Sequence, residues 1–459
     1  MRYYSTRNKN EYTDFASAAL TGLAPDGGLF IPEEIPLYPA SVRASLGVMD
    51  FREIAFETVK PYVSGIIPDS ALSDIVSASF TFNAPLVPAM DRYTVELFHG
   101  PTAAFKDFGA RFMARSFSYL RRGENKPLRI LVATSGDTGG AVADGFFNVP
   151  GISVTVLYPK GRVTPLQERQ IAGLGGNISA LSVEGSFDDC QKLVKTVLSD
   201  EDIKKQMSLS SANSINISRL IPQAVYYASA AGRALAGKVD PDGDATPRVK
   251  PKTGPMKYTA LSPRKGAPVT LCVPSGNFGN LTAGIYAYKM GAPVKQFIAA
   301  TNMNKTIPDY LDTGEYLARV SQATISNAMD VGAPSNFERM SAHFSLDEMR
   351  GIILGAFVSD SETKETIIRV AESSGYILDP HSAVGWKGAD KLISENKLDE
   401  GPLGILCTAH PAKFMEVVEP LTGAPPLPEA LLRAMERTVD AKTIPADVSA
   451  LIETLHEIN

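Results

Sequence analysis

From about Arg2 to Pro88 the chain alternates short stretches of helical period with Gly and Pro punctuation, as in Gly22-Leu23-Ala24-Pro25-Asp26-Gly27-Gly28-Leu29-Phe30. This reads as an N-terminal segment that packs onto a larger body. Beyond Pro88 the rhythm changes, and short β-branched runs lead into Gly-rich turns and then into stretches of helical period. That succession predicts βα units built on a parallel sheet, an α/β fold.

Four such units can be placed. Arg129–Ala133 runs into Ser135-Gly136-Asp137-Thr138-Gly139-Gly140 and a helix from Ala141. Ile152–Leu157 precedes a polar turn and a helix over Leu166–Ala172, and Ile178–Val183 precedes a helix whose apolar face reads Cys190, Val194, Val197, Leu198. Val269–Val273 runs into Ser275-Gly276-Asn277-Phe278-Gly279-Asn280 and a helix from about Leu281, and a late strand, Leu403–Cys407, ends in Thr408-Ala409-His410-Pro411. Six prolines and seven Lys or Arg residues between Lys238 and Pro268 mark an exposed insertion. The expected division is an N-terminal segment (1–95), two βα domains (96–237 and 269–459) and the insertion (238–268) between them.

Charge and cysteine content narrow the partners. The 45 Lys and Arg residues against 50 Asp and Glu leave a net charge of −5, with no basic excess to meet a phosphate backbone, so no nucleic acid is expected. The longest apolar stretch, Gly351–Val358, is far short of a membrane span, and no signal-like apolar core follows the N-terminus. Cys190, Cys272 and Cys407 are widely spaced among apolar neighbours and form neither a disulfide framework nor a metal site. A cytoplasmic protein without a metal is expected.

Three segments could carry chemistry. The Ser275–Asn280 loop sits between a strand and a helix, where unpaired amides favour anions, and its composition suits a phosphate. It is neither a Walker A loop nor GxGxxG, and a plain structural turn is the competing reading. Ser135–Gly140 has the same setting and could hold a small carboxylate, or could simply cap its helix. Lys106 lies among Phe105, Phe108 and Phe112. An apolar pocket would disfavour its charged form and free the amine for a Schiff base, whereas an amphipathic helix would send it to solvent.

Taken in order, these segments resemble the fold-type II pyridoxal phosphate enzymes, and specifically the longer class of threonine synthases. The resemblance runs nearly end to end. It begins with Tyr4-Ser5-Thr6-Arg7 and Asp26-Gly27-Gly28-Leu29-Phe30. It continues through His99-Gly100-Pro101-Thr102, Phe105-Lys106-Asp107, Thr134–Gly139 and Asn213-Ser214-Ile215-Asn216-Ile217-Ser218-Arg219. It closes with Ser275–Asn280 and Thr408–Phe414.

The resemblance implies two open parallel βα domains with pyridoxal 5'-phosphate in the cleft. Lys106 would carry the cofactor, Ser275, Gly276, Asn277, Phe278, Gly279 and Asn280 would cradle its phosphate, and Thr408 would meet the pyridine nitrogen. Asp137 would stand near the cofactor's phenolic oxygen or Lys106. Ser135, Gly136, Thr138 and Gly139 would bind the substrate carboxylate. The implied reaction converts O-phospho-L-homoserine and water to L-threonine and phosphate, with Asn213, Asn216 and Arg219 as the expected substrate-phosphate site. A monomer or weak homodimer is expected. Ala103, where Leu is common, and the 238–268 insertion depart from the pattern. A dehydratase or phospholyase of the same fold is the alternative within the enzymes, and a phosphate-binding module without chemistry the alternative outside them. His99, His381 and His410 read as structural.

Overall fold

Every residue of the strand Val269–Pro274 is buried, as a run of Val, Leu and Cys without polar alternation requires when helices cover both faces of a sheet. The structure is a computed structural model that describes residues 1–134, 136–249 and 266–458. Ser135 and residues 250–265, most of the expected insertion, lie outside the described residues.

Two sheets organise the molecule. In the first, the strands run in the order Ile353–Phe357, Val294–Thr301, Val269–Pro274, Leu403–Cys407, Arg92–Glu96 and Leu86–Ala89, all parallel except the last pair. In the second, the order is Lys442–Pro445, Ile178–Glu184, Ile152–Pro159, Leu128–Ala133 and Leu209–Ser211, parallel throughout. A small antiparallel sheet of Tyr3–Ser5, Tyr12–Thr13 and Phe30–Pro32 belongs to the N-terminal segment, followed by helices such as Phe51–Val63 and Asp69–Ser79. The parallel α/β plan expected from the sequence is therefore present, in two sheets.

Strand pairing cuts across the division expected from chain order. Leu86–Ala89 and most of Arg92–Glu96 fall in the expected N-terminal segment, yet they complete the first sheet beside Leu403–Cys407. Lys442–Pro445 falls in the last expected domain, yet it is an edge of the second sheet. Parallel neighbours need long crossovers, so strands far apart in sequence become adjacent.

The insertion is corrected in part. Asp240 N–H donates to Leu86 O at 2.8 Å, Thr246 Oγ1 to Glu96 Oε2 at 2.8 Å, and Val249 N–H to Gly375 O at 2.8 Å, so residues 240–249 are docked on the first sheet and its neighbours. Among the described residues, no helix is long and apolar enough to cross a membrane.

Candidate active site

Parallel sheets leave helix N-termini and loop amides free at the carboxyl ends of their strands, and the candidate segments all start there. The loop after Arg92–Glu96 leads to Lys106. Leu97 N–H extends the parallel ladder to Cys407 O, and Ala104 then pairs antiparallel with Ala409, His410 N–H donating to Ala103 O and Phe105 N–H to Thr408 O, all at 2.9 to 3.0 Å. Ala103 takes a left-handed conformation (φ 53°), a costly choice for a side chain with a Cβ that must be held by its surroundings. Asp107, fully buried, accepts from Thr102 N–H at 2.9 Å and Thr102 Oγ1 at 2.5 Å. These bonds fix Lys106 as the first residue of the helix Lys106–Leu120.

The Lys106 side chain is 16% exposed, not solvated as the amphipathic alternative requires. Burial lowers its pKa to about 8, Asp137 opposes the shift, and the charges of Lys413 and Arg219 add to it. Asp137 opens the helix Asp137–Phe146, with Oδ2 4.0 Å from Lys106 Nζ and Oδ1 2.9 Å from Lys413 Nζ. Gln167 Nε2 also donates to Oδ1, at 3.1 Å. Against the cost of burial, the two ammonium groups hold the Asp137 carboxyl well below the usual carboxylate range. Gly136 and Gly139 give their N–H groups to Thr134 Oγ1, at 2.9 and 2.8 Å.

In the Ser275–Asn280 loop, Phe278 takes a left-handed conformation (φ 60°) and turns the chain into the helix Gly279–Lys289. Gly276 admits close approach: a Cβ there would stand 2.7 Å from Met329 Cα. Asn277 Nδ2 donates to Ser214 Oγ at 2.9 Å and its Oδ1 accepts from Ser335 N–H at 2.6 Å. Ser275 Oγ donates to Val273 O at 2.9 Å, so its hydroxyl proton is spent on the turn. Asn280 Oδ1 accepts the hydroxyls of Tyr226 and Tyr227 at 2.6 and 2.8 Å, while its Nδ2 is buried without a protein partner.

Asn277 and Ser214 join this loop to the 213–219 segment. There Arg219 is 2% exposed, donates from Nη1 to Ala212 O at 2.6 Å, and keeps a buried Nε without a partner. Burial lowers its pKa to about 10. Asn216 is the correction: it does not share a ligand with Arg219. Its Oδ1 caps the following helix through Ser218 N–H, and its Nδ2 donates to Ala19 O at 2.7 Å, tying in the helix Phe15–Thr21. Asn213 is half-buried beside it.

Thr408 is buried at the end of Leu403–Cys407. His99, His381 and His410 are engaged by Glu96 Oε2, by Asp379 Oδ1, and by the Ala412 N–H, respectively. Sequence reasoning gave Lys413 no role, although it lay within a quoted motif; nothing local shows that a lysine six residues past a strand will be buried.

The residues fit pyridoxal phosphate. An amine of lowered pKa faces a buried carboxylate, and the strand-to-helix loop holds an orphaned amide donor and a glycine that no larger residue could replace. Three sequence families match the chain: threonine synthase N terminus over residues 2–80, pyridoxal-phosphate dependent enzyme over 93–238 and 256–409, and threonine synthase, C-terminal, over 382–454. The threonine synthase of Serratia marcescens is 40% identical over 98% of both chains. The chain belongs to the threonine synthase family. Among solved threonine synthases, the Escherichia coli structure is 38% identical, covers 100% of both chains and superimposes with a TM-score of 0.84. PLP-bound threonine synthase from Brucella melitensis is 35% identical over 100% of this chain and 99% of that one, with a TM-score of 0.86. As in that family, the cofactor is pyridoxal phosphate.

Proposed function

We propose that the protein converts O-phospho-L-homoserine and water to L-threonine and inorganic phosphate. The observation that carries this reading is the excess of buried cations: Lys106 and Lys413 flank one ionised carboxylate, Asp137, and the charge of Arg219 also acts on Lys106. Arg219 in particular is buried with no acid to neutralise it, which suits a phosphate that arrives with the substrate. A second anion, the cofactor phosphate, suits the Gly279–Lys289 helix N-terminus and Asn280 Nδ2.

In this reading Lys106 holds the cofactor, and Ser275, Gly276, Asn277, Phe278, Gly279 and Asn280 hold its phosphate. Thr408 faces the pyridine nitrogen. Gly136, Asp137, Thr138 and Gly139 form the turn that receives the substrate α-carboxylate, chiefly through the amides of Asp137 and Thr138. Arg219, with Asn213 beside it, takes the substrate phosphate. Pyridoxal phosphate, when bound, supplies the electron sink for carbon acids next to an amine.

The chain supplies the proton transfers. Lys106 Nζ, whose pKa near 8 keeps a usable fraction neutral at physiological pH, takes the proton from Cα. A proton leaves Cβ, the Cγ–O bond breaks and phosphate departs beside Arg219. Cγ regains a proton, water adds its oxygen at Cβ as it gives up a proton, and Cα is reprotonated to leave threonine. The lacing of residues 97–105 to 407–410 holds Lys106 in one place while several carbons present themselves in turn.

Incubation of the purified protein with O-phosphohomoserine should release threonine and phosphate in equal amounts. A keto acid in place of threonine would move the assignment to a dehydratase or phospholyase. We take the working unit to be a monomer or weak homodimer, to be checked by sedimentation. Three free, buried cysteines are consistent with work in the cytoplasm.

A further inference from the structure

Lys413 sits on the short turn Pro411–Phe414 that follows the strand Leu403–Cys407, and its side chain has no exposure. Ammonium groups are seldom buried so completely, because desolvation is costly unless the charge is paired. Here Nζ donates to Thr102 O at 2.7 Å and lies 2.9 Å from Asp137 Oδ1. Asp137 Oδ2 faces Lys106 Nζ at 4.0 Å. One carboxylate thus stands between two lysines that come from different ends of the chain.

We propose that Lys413 is a positioning residue: paired to Asp137, it holds that carboxylate ionised and aimed at Lys106, and so sets the pH at which Lys106 can act as a base. This rests on the reading of Lys106 as the reacting amine. The other charged or titratable groups around the three are Arg219, from the turn Ile217–Leu220, and His381, from the helix Pro380–Ser394. Among the described residues, Asp107 on the Lys106 helix and His410 on the loop after Cys407 are also near. His381 is turned to Asp379 and Ala328, and Asp107 to Thr102, so neither replaces Lys413 at Asp137.

The sign follows from charge. The Lys413 ammonium disfavours a second ammonium at Lys106 and occupies half of the Asp137 carboxylate. Without it, Asp137 has Lys106 as its one lysine partner, and the charged form of Lys106 gains. The pH at which the amine becomes available should then rise.

The test uses the holoenzyme with Lys413→Met and Lys413→Arg. Two titrations are read: the pH dependence of kcat on O-phosphohomoserine, and, independently of turnover, the absorbance of the bound cofactor against pH. Lys413→Met should move both midpoints upward by roughly one pH unit with little change in KM. Lys413→Arg should return them to the parental position. If Lys413→Met fails to fold, Lys413→Gln, which keeps N–H donors for Thr102 and Asp137 but drops the charge, should show the same displacement. Parental midpoints in the uncharged variants, or equal displacement in the arginine and uncharged variants, would overturn the proposal and leave Lys413 as a tie for Thr102. Borohydride fixation of the cofactor on a lysine other than Lys106 would instead overturn the underlying assignment, and peptide mapping separates the two failures.

Discussion

A lysine is a poor base while its amine stays protonated, and the surroundings of Lys106 remove that obstacle by burial and by two neighbouring cations. Lys106→Ala should keep the fold, because the side chain is partly exposed and belongs to no apolar core cluster. Turnover should fall on the order of a thousandfold or more, since cofactor attachment and proton transfer are both lost. A melting temperature near the parental value together with absent threonine formation is the expected pair of results. Arg219 can be tested more gently. Arg219→Lys keeps the charge but loses the planar fork and the bond to Ala212 O. It should cost about 1–3 kcal/mol in kcat/KM on O-phosphohomoserine and leave cofactor retention unchanged. Equal losses of both would point to misfolding. At this scale the sequence marked Lys106 and the two loops as candidates because their motifs are local. It could not show that Asn216 spends its amide on Ala19, or that Lys413 is buried, because both facts depend on segments brought together by the fold.

Secondary elements were legible where one residue pattern suffices. The strand Leu403–Cys407 has the expected bounds, and Ile152–Pro159 and Ile178–Glu184 extend theirs by one or two residues. The helix Phe187–Ser199 buries Cys190, Val194 and Val197 of the face that helical spacing marks out, with Leu193 buried beside them and Leu198 only partly covered. Pairing was not legible. Lys442–Pro445, with two charged or polar residues and a terminal proline, is a strand only because Ile178–Glu184 offers it an edge. The three short N-terminal strands likewise exist through pairing with one another. How elements meet also decides a substitution at Gly109. In the middle of a helix alanine is ordinarily favoured by about 1 kcal/mol. Here the helix Lys106–Leu120 presses on the turn Ile217–Leu220, and a Cβ at Gly109 would stand 2.6 Å from Arg219 O. Gly109→Ala should therefore destabilise the protein by about 1–3 kcal/mol in denaturant titrations. It should also raise KM for O-phosphohomoserine, because the residue displaced is Arg219.

For the molecule as a whole, the N-terminal segment looks like an appendage in sequence, yet it is bonded into the site. Arg339 is fully buried and forms no ion pair among the described residues; it donates to Phe30 O at 3.1 Å, to Asn336 Oδ1 at 2.7 Å, and to Ile215 O. Asn336 in turn gives its Nδ2 to Asn277 O at 3.1 Å, so one guanidinium joins the N-terminal sheet, the 213–219 segment and the Ser275–Asn280 loop. The Asp26-Gly27-Gly28-Leu29-Phe30 motif thereby gains a physical reason: its tight turn, with Gly28 N–H and Ser5 Oγ both donating to Asp26 Oδ1, delivers the Phe30 carbonyl to Arg339. Arg339→Met would strand those acceptors in the interior and should cost about 2–4 kcal/mol of stability. It should also loosen the cofactor, seen as faster loss of bound pyridoxal phosphate on dialysis. Arg7→Ala serves as the contrast. Arg7 pairs with Glu338, next along the same helix, but it is half exposed, and exposed pairs contribute little. If the N-terminal segment served only to cover apolar surface, cofactor retention would be indifferent to both substitutions. The bonding through Asn336 requires that Arg339→Met alone release it.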